Sequence, residues 1–167
     1  MKTEVLIVIL NYRTASLVAD CLSSLHAEVA DLQCARVVVV EGGSGDGSAD
    51  AIARVISSRD CGAWVELLAL PDNRGFAAGN NAAIRRALSA GNRPDFIYLL
   101  NPDTVIRPGA VRELLTFMRA YPAAGIAGSR NENPDGSPRQ TAFRFPSALG
   151  ELESEAALGV VSRLLVR

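Results

Sequence analysis

Four continuous apolar runs, each followed by a polar loop, constrain the fold of this chain more than any other feature of its sequence. The runs are EVLIVIL (4–10), RVVVV (36–40), AWVELLAL (63–70) and FIYLL (96–100). Runs without strict alternation are typical of parallel strands that are covered on both faces. Segments with helical spacing separate them, so that strand and helix repeat about every 30 residues, as in βαβ units. The sequence therefore predicts an α/β fold with a mainly parallel sheet flanked by helices.

The helices are predicted at residues 14–27, 48–57, 76–90 and 108–121, where apolar positions or helix-boundary residues indicate them. Residues 125–129 (GIAGS) predict a short fifth strand, and Asp135-Gly136 is a dipeptide typical of hairpin turns.

The C-terminal segment predicts an amphipathic helix. Its apolar stripe consists of Leu149, Leu152, Ala156, Val160 and Leu164. Such a helix could dock on the core, lie on a membrane surface as a peripheral contact, or begin a missing domain. We also expect a homodimer through this stripe, because Gly150 and Gly159 leave the helix marginal without packing. We divide the chain into a domain at residues 1–147 and this helix at residues 148–167.

Composition disfavours several classes of protein. The 167 residues are 49% hydrophobic, which suits one packed domain, and a formal net charge of -1 argues against a nucleic-acid partner. We expect no transmembrane segment and no secretory signal, since no apolar run is long enough and no cleavage site follows the first one. Cys21, Cys34 and Cys61 form no CxxC pair, so we expect reduced, buried thiols in a cytoplasmic protein.

The polar loops after the strands are NYR, EGGSGDGS, PDNRGFAAGNN and NPDT. Parallel sheets bind ligands beyond the carboxyl ends of their strands, so these loops predict a binding site. The glycine-rich loop lacks the third glycine of a dinucleotide fingerprint and the lysine of a P-loop, because Ser48 stands at both positions. A nucleotidyltransferase is also disfavoured, since no GGxGxR loop follows the first strand.

Taken in order, the four loops resemble a known family. VVVVEGGSGDGS resembles the VVDNGSxDGS segment of inverting nucleotide-sugar glycosyltransferases of family 2, which have the GT-A fold. PDNRGFAAGNNAAIRRAL is similar to the family's NxGFAxGNNxGI segment, and LLNPDT resembles its metal motif. The first strand with its helix and RFPS (144–147) also have counterparts, so the resemblance covers most of residues 4–147. The sequence is most similar to the rhamnosyltransferase-like branch.

The resemblance implies a GT-A, Rossmann-like fold and a hexosyltransferase-class activity in polysaccharide biosynthesis. A sugar, rhamnose by resemblance, would pass from a nucleoside-diphosphate sugar (deoxythymidine or uridine) to a saccharide or lipid-linked acceptor. The expected location is the cytoplasm, with the inner face of the membrane as an alternative.

The resemblance also assigns residues of the first two loops to the donor nucleoside. Asn11, Tyr12 and Arg13 would border it, with Tyr12 offering a flat face for stacking. Glu41 would read the base as the family's aspartate does, one methylene longer and with Gly42 in place of the usual asparagine.

In the last two loops the resemblance assigns residues to the sugar diphosphate. Asn73, Gly75 and Asn80 would hold the third loop beside it, at a helix N-terminus that favours anions. Asn101 would contact the sugar or ribose, and Asp103 would hold Mg²⁺ or Mn²⁺ together with substrate phosphates.

The resemblance leaves the catalytic base unassigned. In the family this carboxylate lies beyond the RFPS counterpart, in an acidic segment that this chain does not match. We therefore expect the donor half of a truncated glycosyltransferase, or alternatively a non-catalytic nucleotide-sugar-binding module.

Overall fold

A computed structural model describes residues 4–32, 34–59, 61–91, 93–133 and 135–141 of the chain. The chain divides into two compact units, Met1–Ala127 and Gly128–Arg167. The first unit confirms the predicted α/β fold class.

Four parallel strands form the sheet of the first unit. They are β1 (Val5–Asn11), β2 (Ala35–Glu41), β3 (Val65–Ala69) and β4 (Phe96–Leu100), in the order β3-β2-β1-β4. β1 pairs with β2 from Val5↔Ala35 to Asn11↔Glu41 and with β4 on its other side. The central strand thus has a parallel neighbour along each edge, and the four strands end at the same edge of the sheet.

The four predicted helices are all present and cover both faces of the sheet. They are α1 (Ala15–Leu32), α2 (Ser48–Ser58), α3 (Phe76–Ser89) and α4 (Ala110–Ala120). α1, α2 and α4 pack on one face against Val5, Ile7 and Ile9 of β1. α3 packs on the opposite face, where Ala83 contacts the cluster around Leu6 and Val8. Continuous apolar runs are therefore explained by burial on both sides.

Some expectations about individual segments need correction. α1 extends to Leu32, five residues beyond the predicted end, because Val29 is buried in the core. The predicted fifth strand at residues 125–129 is wrong: the segment has no regular structure, and Ile126 is 93% exposed. In the second unit, Asn131–Glu132 (β5) and Pro138–Arg139 (β6) pair antiparallel around the predicted Asp135-Gly136 turn.

Other sequence expectations concern the cysteines, membrane spans and the C-terminal segment. No disulfide joins the cysteines, all of which lie within the described ranges; Cys21 and Cys61 are buried as expected, whereas Cys34 is only partly buried. None of the helices described here has the length and apolar character needed to cross a membrane. RFPS, the amphipathic stripe and the homodimer expected through it lie outside the described residues, and the expected domain division remains a prediction.

The amino-terminal edge of the sheet is joined to α4 through Glu4. Its carboxylate accepts a hydrogen bond from the Cys34 thiol at 3.0 Å and pairs with the Arg119 guanidinium. The thiol hydrogen bond first, and then Arg119, hold the pKa of Glu4 below its ordinary value of 4.5. A carboxyl group with a lowered folded-state pKa stabilises the fold above its unfolded pKa.

We predict that Glu4→Gln lowers the free energy of unfolding by about 0.5–1 kcal/mol at pH 7, because a partly exposed charged contact is lost. The contribution should disappear as the pH falls through the lowered folded-state pKa of Glu4, starting from about pH 5. Urea unfolding of both proteins across this range checks it. A difference that stays constant on acidification would contradict the assignment.

The loops after β2 and β3 touch at Gly43. Its φ is +69°, and a Cβ placed there would lie 2.6 Å from the Cα and carbonyl carbon of Asp72. Gly45 in the same loop has φ +67°, yet no described atom lies within 4 Å of its would-be Cβ. Both positions favour glycine because their φ angles are positive. Only at Gly43 does a neighbouring backbone also leave no room for a side chain.

Gly43→Ala should lower the free energy of unfolding by about 2–4 kcal/mol, since a steric clash adds to the left-handed backbone cost. The matched control Gly45→Ala should lower it by only about 1–2 kcal/mol, the backbone cost alone. Urea unfolding of the two variants compares them. Equal losses would show that the Gly43–Asp72 contact does not constrain the loops.

Candidate functional site

The polar loops border one cleft at the carboxyl ends of the strands. It has a volume of about 400 Å³, within the range of small-ligand sites. Six of the ten predicted site residues line it, namely Tyr12, Gly42, Asn73, Gly75, Asn101 and Asp103. Folding therefore brings together residues from four loops that are far apart in the sequence.

The other four predicted residues, Asn11, Arg13, Glu41 and Asn80, do not line the cleft. Asn11 is buried, and its Oδ1 accepts hydrogen bonds from the Thr14 amide at 3.2 Å and hydroxyl at 2.9 Å. Its Nδ2 is buried with no hydrogen-bond partner within the described part of the chain. That donor would be satisfied by a water or a bound molecule, because buried polar groups are normally hydrogen-bonded.

Asn80 acts inside α3, where its Nδ2 donates to the Phe76 carbonyl at 2.9 Å. Gly79 beside it faces the cleft, and a Cβ there would lie 2.5 Å from Leu10 Cδ1. The first turn of α3 therefore packs closely on the end of β1, and Asn80 holds this turn together rather than facing the cleft.

The Glu41 carboxylate is buried and is used by its own loop. The residue is 4% exposed, and its oxygens accept from the amides of Gly43 at 3.1 Å and Ser44 at 2.9 Å and from the Ser44 hydroxyl. The Ser44 hydroxyl in turn accepts from the Arg13 amide at 3.0 Å. Glu41 thus fixes the conformation of the glycine-rich loop after β2. Through the Ser44 hydroxyl it also connects this loop to the loop after β1.

The first loop presents an aromatic face to the cleft. Tyr12 is 42% exposed, and the Arg13 guanidinium lies 5.2 Å from the centre of its ring, a cation–π distance. Arg13 has φ +59°, a left-handed conformation that is uncommon for a residue other than glycine. The backbone at Arg13 is therefore strained at a point where the loop turns into α1, as is common beside binding sites.

The third loop leads into the N-terminus of α3 at the cleft. The Asn73 side chain accepts a hydrogen bond from the Gly75 amide at 2.8 Å, and Gly75 (φ +85°) is the N-cap of the helix. Phe76 is exposed at the cleft rim, and Asp72 pairs with Arg74 at 2.9 Å. The unpaired amides of a helix N-terminus favour an anion at this wall.

The fourth loop carries Asn101 and Asp103, both exposed at the cleft. The Asn101 carbonyl accepts from the Thr104 amide at 3.2 Å and lies 3.9 Å from the buried Cys21 Sγ. Burial, and next the Asp103 charge, raise the pKa of Cys21 to about 12. The thiol beneath the loop therefore stays neutral, and Asp103 is the charge that the loop offers to the cleft.

The oxygen atoms at the cleft fit a hard cation that is coordinated by one protein carboxylate and mainly by the phosphates of a bound substrate. Among the described residues two carboxylates line the cleft, and that of Asp72 is paired with Arg74, which leaves Asp103 for a metal. In the described ranges, no group of three or more His, Cys, Asp or Glu side chains is placed so that it could hold a metal ion. Mg²⁺ and Mn²⁺ accept such a site, because one carboxylate and substrate phosphates can complete their coordination.

Sequence reasoning missed part of the cleft wall. Asp72, Arg74 and Phe76 line it, and their place beside Asn73 in one loop was the available signal. The apolar part of the wall also includes Leu10, Leu17 and Leu70. Periodicity cannot distinguish such leucines from core residues, because they occur on, or directly after, the same strands and helix as the core residues.

A family model matches most of the sequence. Residues 5–155 match the family Glycosyl transferase family 2. A search among curated proteins gives no match.

Solved glycosyltransferase structures share the fold. The mannosyltransferase PcManGT from Pyrobaculum calidifontis, in complex with GDP-Man and Mn²⁺, superimposes with a TM-score of 0.61 at 19% identity. TarS 1–349 from S. aureus in complex with UDP-GlcNAc gives 0.57 at 17% identity. The aligned region covers 71% of this chain but only 33% and 32% of these two structures, so the chain spans about one third of their length. At these identities the likeness confirms the GT-A fold. The family match covers most of the sequence, and the chain therefore belongs to Glycosyl transferase family 2.

Proposed function

We propose that this chain binds a nucleoside-diphosphate sugar and forms the donor-binding part of an inverting, metal-assisted glycosyltransferase. The observation that carries the proposal is that Tyr12, the N-terminus of α3 and Asp103 line one cleft. These three features match an aromatic or sugar ring, a diphosphate and a divalent cation in chemistry. Membership of the family supports the same activity, as do the nucleotide sugars bound by PcManGT and TarS.

The finer parts of the proposal rest on the sequence resemblance. We propose rhamnose as the transferred sugar and a saccharide or lipid-linked molecule as the acceptor. The leucines of the wall provide an apolar surface against which a nucleoside or a deoxy-sugar methyl group can pack.

In this proposal the first and third loops bind the organic part and the phosphates of the donor. Tyr12 stacks on the nucleoside, and the adjacent Arg13 guanidinium stabilises its ring orientation. The N-terminal amides of α3 bind the diphosphate. Gly75 gives the phosphates close access to these amides, because no side chain stands at the N-cap.

The second loop contributes through its shape. Three donors of the loop already share the Glu41 carboxylate, so we propose that Glu41 acts on the base by fixing the backbone of residues 42–45. This assigns Glu41 an indirect role in place of the direct base contact that the resemblance implies.

Asp103 would hold Mg²⁺ or Mn²⁺ beside the diphosphate. A divalent cation there would neutralise the negative charge that develops on the leaving diphosphate. The role of Asp103 is to fix the cation on the cleft side of the fourth loop, while Asn101 in the same loop is free to contact the ribose or sugar.

A non-catalytic nucleotide-sugar-binding module is the second candidate. Asp72 is paired with Arg74, and Asp103 is assigned to the cation, so each described carboxylate that lines the cleft already has another role. The described cleft thus accounts for recognition of the donor rather than for deprotonation of an acceptor. Turnover separates the two candidates: Asp103-dependent release of nucleoside diphosphate from dTDP-rhamnose or UDP-glucose by this chain would exclude the module.

We predict that Mn²⁺ raises the affinity for UDP or dTDP at least about tenfold and that Asp103→Asn abolishes this gain. Metal-free affinity should change by less than about twofold, because the nucleoside and helix contacts remain. Calorimetric titration with and without Mn²⁺ measures both quantities.

The matched control is Asp20→Asn, an exposed carboxylate on α1 that lies outside the cleft. This variant should keep the full Mn²⁺ gain. An equal gain in wild type and Asp103→Asn would remove Asp103 as the metal ligand, and no binding of UDP, dTDP or GDP at millimolar concentration would reject the proposed function.

A further inference from the structure

The connection between β4 and α4, residues 101–109, carries Asp103 but has little regular structure of its own. Within it, the Thr104 amide donates to the Asn101 carbonyl at 3.2 Å. Asp103 is exposed, so its own side chain is not packed in place. The direction in which its carboxylate points must therefore be set by whatever holds the backbone on either side.

One face of α1 holds the backbone of the connection in place. Cys21, Ser24 and Glu28 are spaced three and four residues apart, so they lie along one stripe of the helix. Cys21 lies against the start of the connection, 3.9 Å from the Asn101 carbonyl. Ser24 accepts a hydrogen bond from the Ile106 amide at 3.0 Å.

Ser24 is held in a single orientation by two hydrogen bonds. Its hydroxyl donates to the Cys21 carbonyl of its own helix at 2.8 Å, which directs a lone pair at the Ile106 amide. Ile106 is buried, so this point of the connection is fixed by packing as well. Asp103 lies three residues before it.

Glu28 fixes the far end of the connection. It is 6% exposed, and its two carboxylate oxygens accept from the amides of Gly109 at 2.5 Å and Val111 at 3.1 Å. Gly109 (φ +83°) is the N-cap of α4 and offers no side-chain cap, so Glu28 takes that role across the fold. A carboxylate at a helix N-terminus is also stabilised by the helix dipole.

We infer that Ser24 and Glu28 are positioning residues that set the conformation of the Asp103 loop and thereby its capacity to hold a divalent cation. This inference rests on the proposed function. It adds that one helix couples two loops of the cleft, because α1 begins at Ala15, directly after Tyr12 and its neighbours. The stripe on α1 then fixes the distance between the nucleoside loop and the cation loop.

The experiment compares Ser24→Ala with Ser23→Ala in the full chain. Ser23 is the matched control, since its exposed hydroxyl donates to the Ala19 carbonyl of the same helix and does not touch the connection. Ser24→Thr keeps the hydroxyl and is the rescue variant. UDP or dTDP affinity is measured with and without Mn²⁺, and amide hydrogen exchange is followed at Ile106.

Ser24→Ala should reduce the Mn²⁺-dependent gain in affinity about tenfold, as losses of groups that orient metal ligands do. Metal-free affinity should stay within about twofold, and the Ile106 amide should exchange faster, because its acceptor is gone. Ser24→Thr and Ser23→Ala should behave as wild type. Glu28→Gln, which keeps one acceptor oxygen, should reduce the Mn²⁺ gain in the same direction, with Asp20→Asn as its control.

A Ser24→Ala protein with the wild-type Mn²⁺ gain would overturn the inference. So would an equal loss of affinity with and without Mn²⁺, which indicates general loosening of the fold. A wild-type protein that shows no Mn²⁺ gain rejects the metal-assisted function and the inference together, and this outcome is recognised from the wild type alone.

Discussion

The burial of β1 between two parallel neighbours positions three of the four loops that border the cleft. Residues Val5–Ile9 are almost completely inaccessible to solvent, and each large apolar side chain buried in this way contributes about 1.5–3 kcal/mol. Pairing on both edges fixes the register, so that Asn11 lies beside Glu41 and Ile9 beside Leu100. The loops that follow these strands consequently emerge at one edge, where Tyr12, Gly42 and Asp103 meet.

Once the strands end, the backbone amides of the loops need other acceptors. Two buried glutamates provide them. Glu41 accepts from Gly43 and Ser44 in the glycine loop, whereas Glu28 accepts from Gly109 and Val111 at the start of α4. Burying a carboxylate is costly, and in both glutamates each carboxylate oxygen accepts at least one amide hydrogen bond that offsets part of this cost. The shape of the cleft is thus maintained by buried charge–amide contacts as well as by apolar packing.

The elements of the fold followed from the sequence wherever long apolar runs were involved. The four strands and four helices were predicted because their burial requires continuous or periodic apolar residues. The strand predicted at residues 125–129 (GIAGS) was wrong because apolar composition over so short a run does not ensure strand pairing, and Ile126 is exposed. α1 was predicted too short because Glu28 marks a polar surface by residue type, while its burial depends on Gly109, 81 residues away.

The candidate site could be predicted only at the level of loops. The resemblance selected four loops, and the structure brings six of their ten assigned residues to one cleft. The resemblance could not show that the Glu41 carboxylate accepts hydrogen bonds from Gly43 and Ser44. Hydrogen-bond partners within a loop depend on its backbone conformation. Likewise, the contribution of Ser24 requires the spatial contact with Ile106 that no local pattern reveals.

The central claim is that a divalent cation and a nucleoside diphosphate occupy this cleft together at the Asp103 loop. Paramagnetic broadening of backbone amide signals by Mn²⁺, measured with and without UDP or dTDP, locates the ion directly. We predict broadening that depends on the nucleotide, is strongest at the amides of Asn101, Asp103 and Thr104, and declines along β4 toward Phe96. Broadening centred away from this loop, or identical with and without the nucleotide, would contradict the claim.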